Sequence, residues 1–163
     1  MSNLNHMLFN VEASCSCGAN TFRFSHAPIA HFICHCQVCQ EYTGKTFSDV
    51  LVFLKQDVCD LNIEQTTFKR LKSPPNIRRG ICKQCQSPSI EFGILDQLVF
   101  IPKWNLKDFS QVPPENMHIF YHRRVQDVAD DLPKYNGFIQ SQTQATKFIL
   151  TGLKERILSL NEH

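Results

Sequence analysis

Eight cysteines constrain this chain more than any other feature, because seven of them fall into tight clusters. Cys15 and Cys17 form Cys-x-Cys. Cys34, Cys36 and Cys39 form Cys-x-Cys-x-x-Cys, and Cys82 and Cys85 form Cys-x-x-Cys. Turns of this kind aim two sulfurs at one point, and zinc takes soft donors in a tetrahedron at about 2.3 Å. A structural site closes with four ligands, so the two pairs join. Cys15, Cys17, Cys82 and Cys85 then tie the start of the chain to a later part. The triplet Cys34, Cys36 and Cys39 supplies three thiolates to a second metal. Three protein ligands with one open position is the arrangement of a catalytic zinc.

Met1 to Asn10 has neither a basic n-region nor a long apolar stretch, so no signal peptide is read and a cytoplasmic location is expected. Disulfides are rare there, and clustered cysteines point to metal or thiol chemistry instead. Two alternatives stay open. Cys59 can complete the triplet, leaving a non-catalytic zinc-binding interaction module with two structural zinc sites. His35, between two ligands, can ligate or act as a neighbouring donor. His26, His31, His118 and His122 have no ligand spacing of their own.

A chain of 163 residues makes one domain, or one domain with a short extension. Its 42% hydrophobic and 20% charged residues exclude a disordered chain. No apolar run reaches the roughly 18 residues of a membrane span. A net charge of +2 gives no reason to expect nucleic acid. Lys69, Arg70, Lys72, Arg78 and Arg79 form a basic stretch before Cys82, read as a solvated loop or an anion site.

Short apolar stretches between turn residues dominate residues 7–102, which predicts a mainly β domain. Met7 to Ala13 and Asn20 to Phe24 alternate as a hairpin does. Ala30 to Cys34 and Phe47 to Leu54 read as strands, and Ser89 to Phe92 pairs naturally with Gln97 to Ile101. Leu61 to Leu71 holds an alternating Ile63–Phe68 segment. Gln37 to Thr43 reads as a short helix closed by Gly44, Pro102 to Pro114 as loop, and His118 to Tyr121 as a last strand. From Gln142 to Leu160 apolar positions recur at helical period, predicting an amphipathic helix despite Gly152. Residues 1–140 are therefore read as the zinc-binding β domain and 141–163 as a helical extension. The helix packs on its own domain or against a second subunit, which leaves a homodimer open.

The order Cys15-x-Cys17-Gly18, Cys34-His35-Cys36-x-x-Cys39, Cys82-x-x-Cys85 resembles the glutathione-dependent formaldehyde-activating enzyme family, which includes centromere protein V. Gly44 and Phe47, Leu106-x-Asp108, His118-Ile119 and Asp131-Leu132-Pro133-x-Tyr135 agree with that family's further elements. The chain departs from it at Gln86, where the family carries glycine, and between His122 and Asp127, where it carries tryptophan.

The resemblance implies a zinc-binding β-tent fold. It implies two zinc ions per chain: a structural one on Cys15, Cys17, Cys82 and Cys85, and a catalytic one on Cys34, Cys36 and Cys39. It implies a carbon–sulfur lyase type of activity on a thiol adduct, with glutathione as a thiol and formaldehyde or another small aldehyde as partner. Arg78 or Arg79 is a candidate for a substrate carboxylate, and His35 and Asp49 are candidate proton donors by closeness in sequence.

Overall fold

The computed structural model of the chain describes residues 9–71 and 77–161. The strands are β1 (Val11–Ser14), β2 (Thr21–Phe24), β3 (Ala30–Cys34), β4 (Ser48–Leu54), β5 (Val58–Asn62), β6 (Thr66–Lys69), β7 (Ile77–Cys82), β8 (Pro88–Gly93), β9 (Leu98–Pro102) and β10 (Met117–Ile119). Two helices, α1 (Gln37–Thr43) and α2 (Gly137–Asn161), complete the framework. The fold is mainly β with one C-terminal helix, as the sequence pattern predicts.

The strands build two sheets. One has three strands in the order β1-β2-β5. The other has seven, in the order β10-β3-β4-β9-β8-β7-β6. All pairings are antiparallel except β10 with β3, which run parallel. Alternation along the large sheet sorts its side chains. Leu51, Phe53, Ile90, Phe92, Val99 and Ile101 face Val11, Ala13, Phe22 and Phe24 of the small sheet. The rings of Phe24 and Phe53 stack there, 3.7 Å between centroids. On the opposite face Phe32, Cys34, Val50, Val52 and Met117 pack with Ala145 of α2, supported by Ile149 and Leu153.

Several expectations hold closely. Val11 pairs with Phe24 across the first hairpin. Gly44 ends α1 with a left-handed backbone, φ 66°, and its N–H bonds to the Gln40 carbonyl. Helix α2 starts at Gly137 rather than Gln142 and packs on β3 through Ala145 and Phe148, whose ring meets Phe32 edge-on. Among the described residues no helix is long and apolar enough to cross a membrane.

Two strands differ from expectation. The alternating Ile63–Phe68 segment is not one strand: residues 63–65 connect β5 to β6, which begins at Thr66. The basic stretch is not a solvated loop at Arg78 and Arg79, which lie in β7. Burial there is supplied by Gly80 and by an ion pair that one-dimensional patterning does not reveal. Lys72, Met7 and Leu8 lie outside the described residues.

Candidate metal centres

Two hairpin turns supply the first cluster. In the β1–β2 turn, Cys15 N–H bonds to the Asn20 carbonyl and Gly18 N–H to the Cys15 carbonyl. The β7–β8 turn repeats this closure: Cys82 N–H bonds to Ser87 O, and Gln86 N–H to Cys82 O. Gly18 adopts φ 77° and Gln86 adopts φ 58°. Gln86 thus takes the left-handed conformation that glycine takes without cost, and a non-glycine pays roughly 1–2 kcal/mol for it. The sulfurs of Cys15, Cys17, Cys82 and Cys85 all lie within 4.8 Å of one another. Donors aimed at Cys15 and Cys85 support negative charge on those two thiols. Asn20 N–H reaches the Cys15 sulfur at 3.4 Å. The Cys85 sulfur is 2.9 Å from the Ser87 hydroxyl. Burial opposes ionisation of Cys85, but the Ser87 contacts outweigh it and bring the thiol down to about 6.

The second cluster sits where β3 runs into α1. Cys34 ends the strand, Cys36 is the N-cap of the helix and Cys39 lies in its first turn. Their sulfurs also lie within 4.8 Å of one another, and among the described residues no fourth thiol, imidazole or carboxylate joins them. Cys34 and Cys39 are buried and Cys36 is half-buried. Contacts with Cys34 and then Cys39 hold the Cys36 thiol down to about 3, while the other two are raised. One sulfur of the three, that of Cys36, is thus held as the anion, with the other two thiols beside it. Both donor sets suit zinc: soft, convergent and preset by backbone turns.

His35 does not join the sulfurs. It turns to a buried chain of polar groups: its Nε2 lies 2.8 Å from Nδ1 of His118, and His118 Nε2 lies 2.8 Å from Asp130 Oδ2. Lys134, then His118, hold Asp130 down to about 2, so it is an acceptor. With both rings neutral, His118 donates from Nε2, His35 donates from Nε2, and His35 Nδ1 keeps a bare lone pair. That Nδ1 is buried without a hydrogen-bond partner. Burial, with His118 beside it, pushes His35 down to about 4.

Other expected residues lie elsewhere. Cys59 is in β5 of the small sheet, its sulfur towards the Asp57 carbonyl, apart from the triplet. Asp49 pairs with His31 Nε2 and lies 3.8 Å from Lys103, which also holds Glu115 at 3.0 Å. His31, Asp49 and Glu115 gather three ligand atoms, but the lysine among them makes this an ion network pinning the segment before β10 to the sheet. Arg78 is paired with Asp96, and Arg79 is buried against Glu91 at 3.0 Å. Arg79 is thus committed inside the fold, while Arg78 sits in a surface ion pair.

Two features escaped the sequence reading. Glu91 interrupts the apolar run Ser89-Ile90-Glu91-Phe92, and a charge inside a buried strand is a signal for a partner. Burial raises its carboxyl to about 7 against the pull of Arg79, and the nearby Cys36 adds to the rise. Gln40 is the second. Its Nε2 donates to the His35 carbonyl at 2.7 Å and to the Arg123 carbonyl at 2.9 Å, stitching the triplet segment to the turn after β10.

The family model described as "Glutathione-dependent formaldehyde-activating enzyme" matches residues 10–123. No curated protein matches the chain. A crystal structure of a Rhodobacter sphaeroides protein is similar at 15% sequence identity and a TM-score of 0.47, covering 63% of this chain and 97% of that chain.

Proposed function

The chain belongs to the glutathione-dependent formaldehyde-activating enzyme family, and from that premise we propose that it is a zinc-dependent, cytoplasmic enzyme of the carbon–sulfur lyase type acting on a thiol adduct. In this reading Cys15, Cys17, Cys82 and Cys85 hold a structural zinc. Cys34, Cys36 and Cys39 hold the zinc that takes part in the reaction. The β domain of residues 1–140 carries the chemistry, with 141–163 as its extension.

The observation that carries the proposal is the three-sulfur cluster, which gathers no fourth protein ligand among the described residues. A closed structural site uses four ligands, and three leave a position for substrate. Zinc held there supplies one thing, the lowering of a thiol's pKa so that it ionises at neutral pH. In the reaction a sulfur–carbon bond forms between the thiol and a small aldehyde. The carbonyl oxygen takes the proton that sulfur gives up, and the lyase direction reverses both changes.

The chain's own residues prepare this site. Cys36, half-buried, marks the side open to substrate, while Cys34 and Cys39 are sealed by the core. Phe47 and Tyr121 flank the His35 ring and keep water from it. Asp130 and His118 hold that ring in one orientation, fixing the backbone between two of the ligands.

The test is a rate measurement on protein carrying two zinc ions per chain. Glutathione and other small thiols are mixed with formaldehyde and other small aldehydes, and adduct formation is followed by NMR. Acceleration above the spontaneous rate that disappears in Cys36→Ser is expected. Two bound zinc ions with no accelerated thiol–aldehyde pair would sink the lyase reading and favour the interaction module.

A further inference from the structure

Buried polar side-chain atoms without a hydrogen-bond partner are few among the described residues, and the Ser48 hydroxyl is one of them. Ser48 is 1% exposed, so bulk water does not reach it. An unpaired buried hydroxyl is costly, and such a group in a packed fold calls for a cause. Its place on β4 supplies one. Ser48 lies directly across the β3–β4 ladder from Cys34, the first sulfur of the triplet.

The register also fixes the face. Side chains alternate along β4, so Ser48 shares its side with Val50 and Val52. Cys34 and Cys39 pack in that same layer, whereas Leu51 and Phe53 face the small sheet. Directly opposed residues of an antiparallel pair have Cβ atoms about 4.5–5.5 Å apart. Rotation about the Ser48 Cα–Cβ bond therefore swings the hydroxyl towards the Cys34 sulfur. A hydroxyl has one proton to donate and turns freely to place it. Sulfur that binds a metal does so as the thiolate, and metal ligands are characteristically steadied by hydrogen bonds from an outer layer of groups. Donation to a charged acceptor is the stronger kind of hydrogen bond.

We propose that Ser48 is a positioning residue of the triplet, its hydroxyl donating to the Cys34 thiolate when that sulfur carries metal. The bond orients Cys34 and draws off part of its charge. The metal is held more tightly, and Cys34 is less reactive towards electrophiles. The proposal rests on the reading of Cys34, Cys36 and Cys39 as a metal site, and not on the reaction assigned to it.

The experiment loads the protein with cobalt(II), whose sulfur-to-metal charge-transfer bands report the electron density on the thiolates. Wild type is compared with Ser48→Ala, which removes the hydroxyl, and Ser48→Thr, which keeps it. Subtracting the spectrum of Cys36→Ser, whose bands come from the four-sulfur site, isolates the triplet. In Ser48→Ala the triplet bands should move to longer wavelength. The affinity of the triplet for cobalt, read by competition with a chelator, should fall about 10-fold, within the range for a lost outer partner of a metal ligand. Iodoacetamide should alkylate Cys34 of the loaded protein faster, as located by mass spectrometry. Ser48→Thr should keep the wild-type bands, and the four-sulfur bands should move in neither variant. Bands and affinity unchanged in Ser48→Ala overturn the proposal and leave the metal site standing, with a buried water as the hydroxyl's partner. Bands in Ser48→Thr displaced as far as those of Ser48→Ala overturn it as well, because packing and not the hydroxyl then sets them. A wild type whose spectrum equals that of Cys36→Ser carries no metal on the triplet, which sinks the metal reading and the proposal together.

Discussion

The rings of His35 and His118 stack 5.1 Å apart with Nε2 of the first 2.8 Å from Nδ1 of the second. His118→Ala therefore strands a buried donor on His35 and leaves a cavity beneath it. The expected loss is about 2–4 kcal/mol of stability, measured by urea unfolding. Asp130→Asn keeps the shape and costs less. Its effect depends on pH with a definite sign. Asp130 is held near 2 in the fold, below the ordinary carboxylate value of about 3.9, so its contribution is present above pH 4 and fades as pH falls towards 2. The gap between wild type and Asp130→Asn should be smaller at pH 3 than at pH 5. An equal gap at both would show that the Asp130 charge contributes nothing.

Metal content separates the two clusters. Elemental analysis of protein purified under reducing conditions should give two zinc ions per chain for the wild type and for Cys59→Ser. Cys82→Ser should lose the four-sulfur site and unfold at lower temperature, since such a site supplies folding energy outright. Cys36→Ser should lose the other ion with a smaller change in unfolding temperature. Loss of an ion in Cys59→Ser would reinstate Cys59 as a ligand.

Gln86 carries the turn of the second Cys pair in a left-handed backbone, φ 58°. Replacing it by glycine removes that strain but loosens the unfolded chain, so the net gain is about 0.5–1 kcal/mol. The expected rise in the unfolding temperature of zinc-loaded protein is about 2–4 °C. A drop would mean that the bond from Gln86 Nε2 to the Lys83 carbonyl, 2.9 Å, outweighs the strain.

Arg79 and Glu91 are 8% and 5% exposed at their side chains, and they meet beside the triplet. Glu91→Met leaves the Arg79 charge buried and uncompensated and should cost about 3–5 kcal/mol, whereas Arg79→Met lets Glu91, already raised to about 7, take up a proton and should cost less. The double variant Arg79→Met/Glu91→Met should lose much less than the sum of the two. Additive losses in urea unfolding would show that the two side chains act independently.

The cysteine spacing announced both clusters because metal ligands are constrained locally: each turn brings its own sulfurs together. The helix cap at Gly44 and the first hairpin were legible for the same reason. What could not be read was pairing between distant residues. Arg78 and Arg79 look like a solvated run until Glu91 and Asp96 arrive on the neighbouring strand and its turn. His118 and Asp130 reveal their roles only when β10 lies alongside β3. Glu91 alone carried a local signal, as a charge within an apolar strand.

Gly152 shows how tertiary packing reverses a local rule. In an isolated helix Gly→Ala gains about 1 kcal/mol. Here a Cβ on Gly152 would stand 2.3 Å from the Ile29 carbonyl oxygen and 2.9 Å from the Ile29 Cβ. That carbonyl cannot withdraw freely, because Ile29 N–H is tied to Val52 O at 2.8 Å, fixing the segment that enters β3. Helix α2 must then lift off the sheet, disturbing Ala145 and Phe148 against Phe32, at about 1–3 kcal/mol of overpacking strain. Gly152→Ala should therefore lower the unfolding temperature by several degrees. Amide hydrogen exchange should show protection falling along α2 and β3 while the small sheet is unchanged. A stabilised variant would mean that α2 rests on the sheet loosely enough to accept a methyl group.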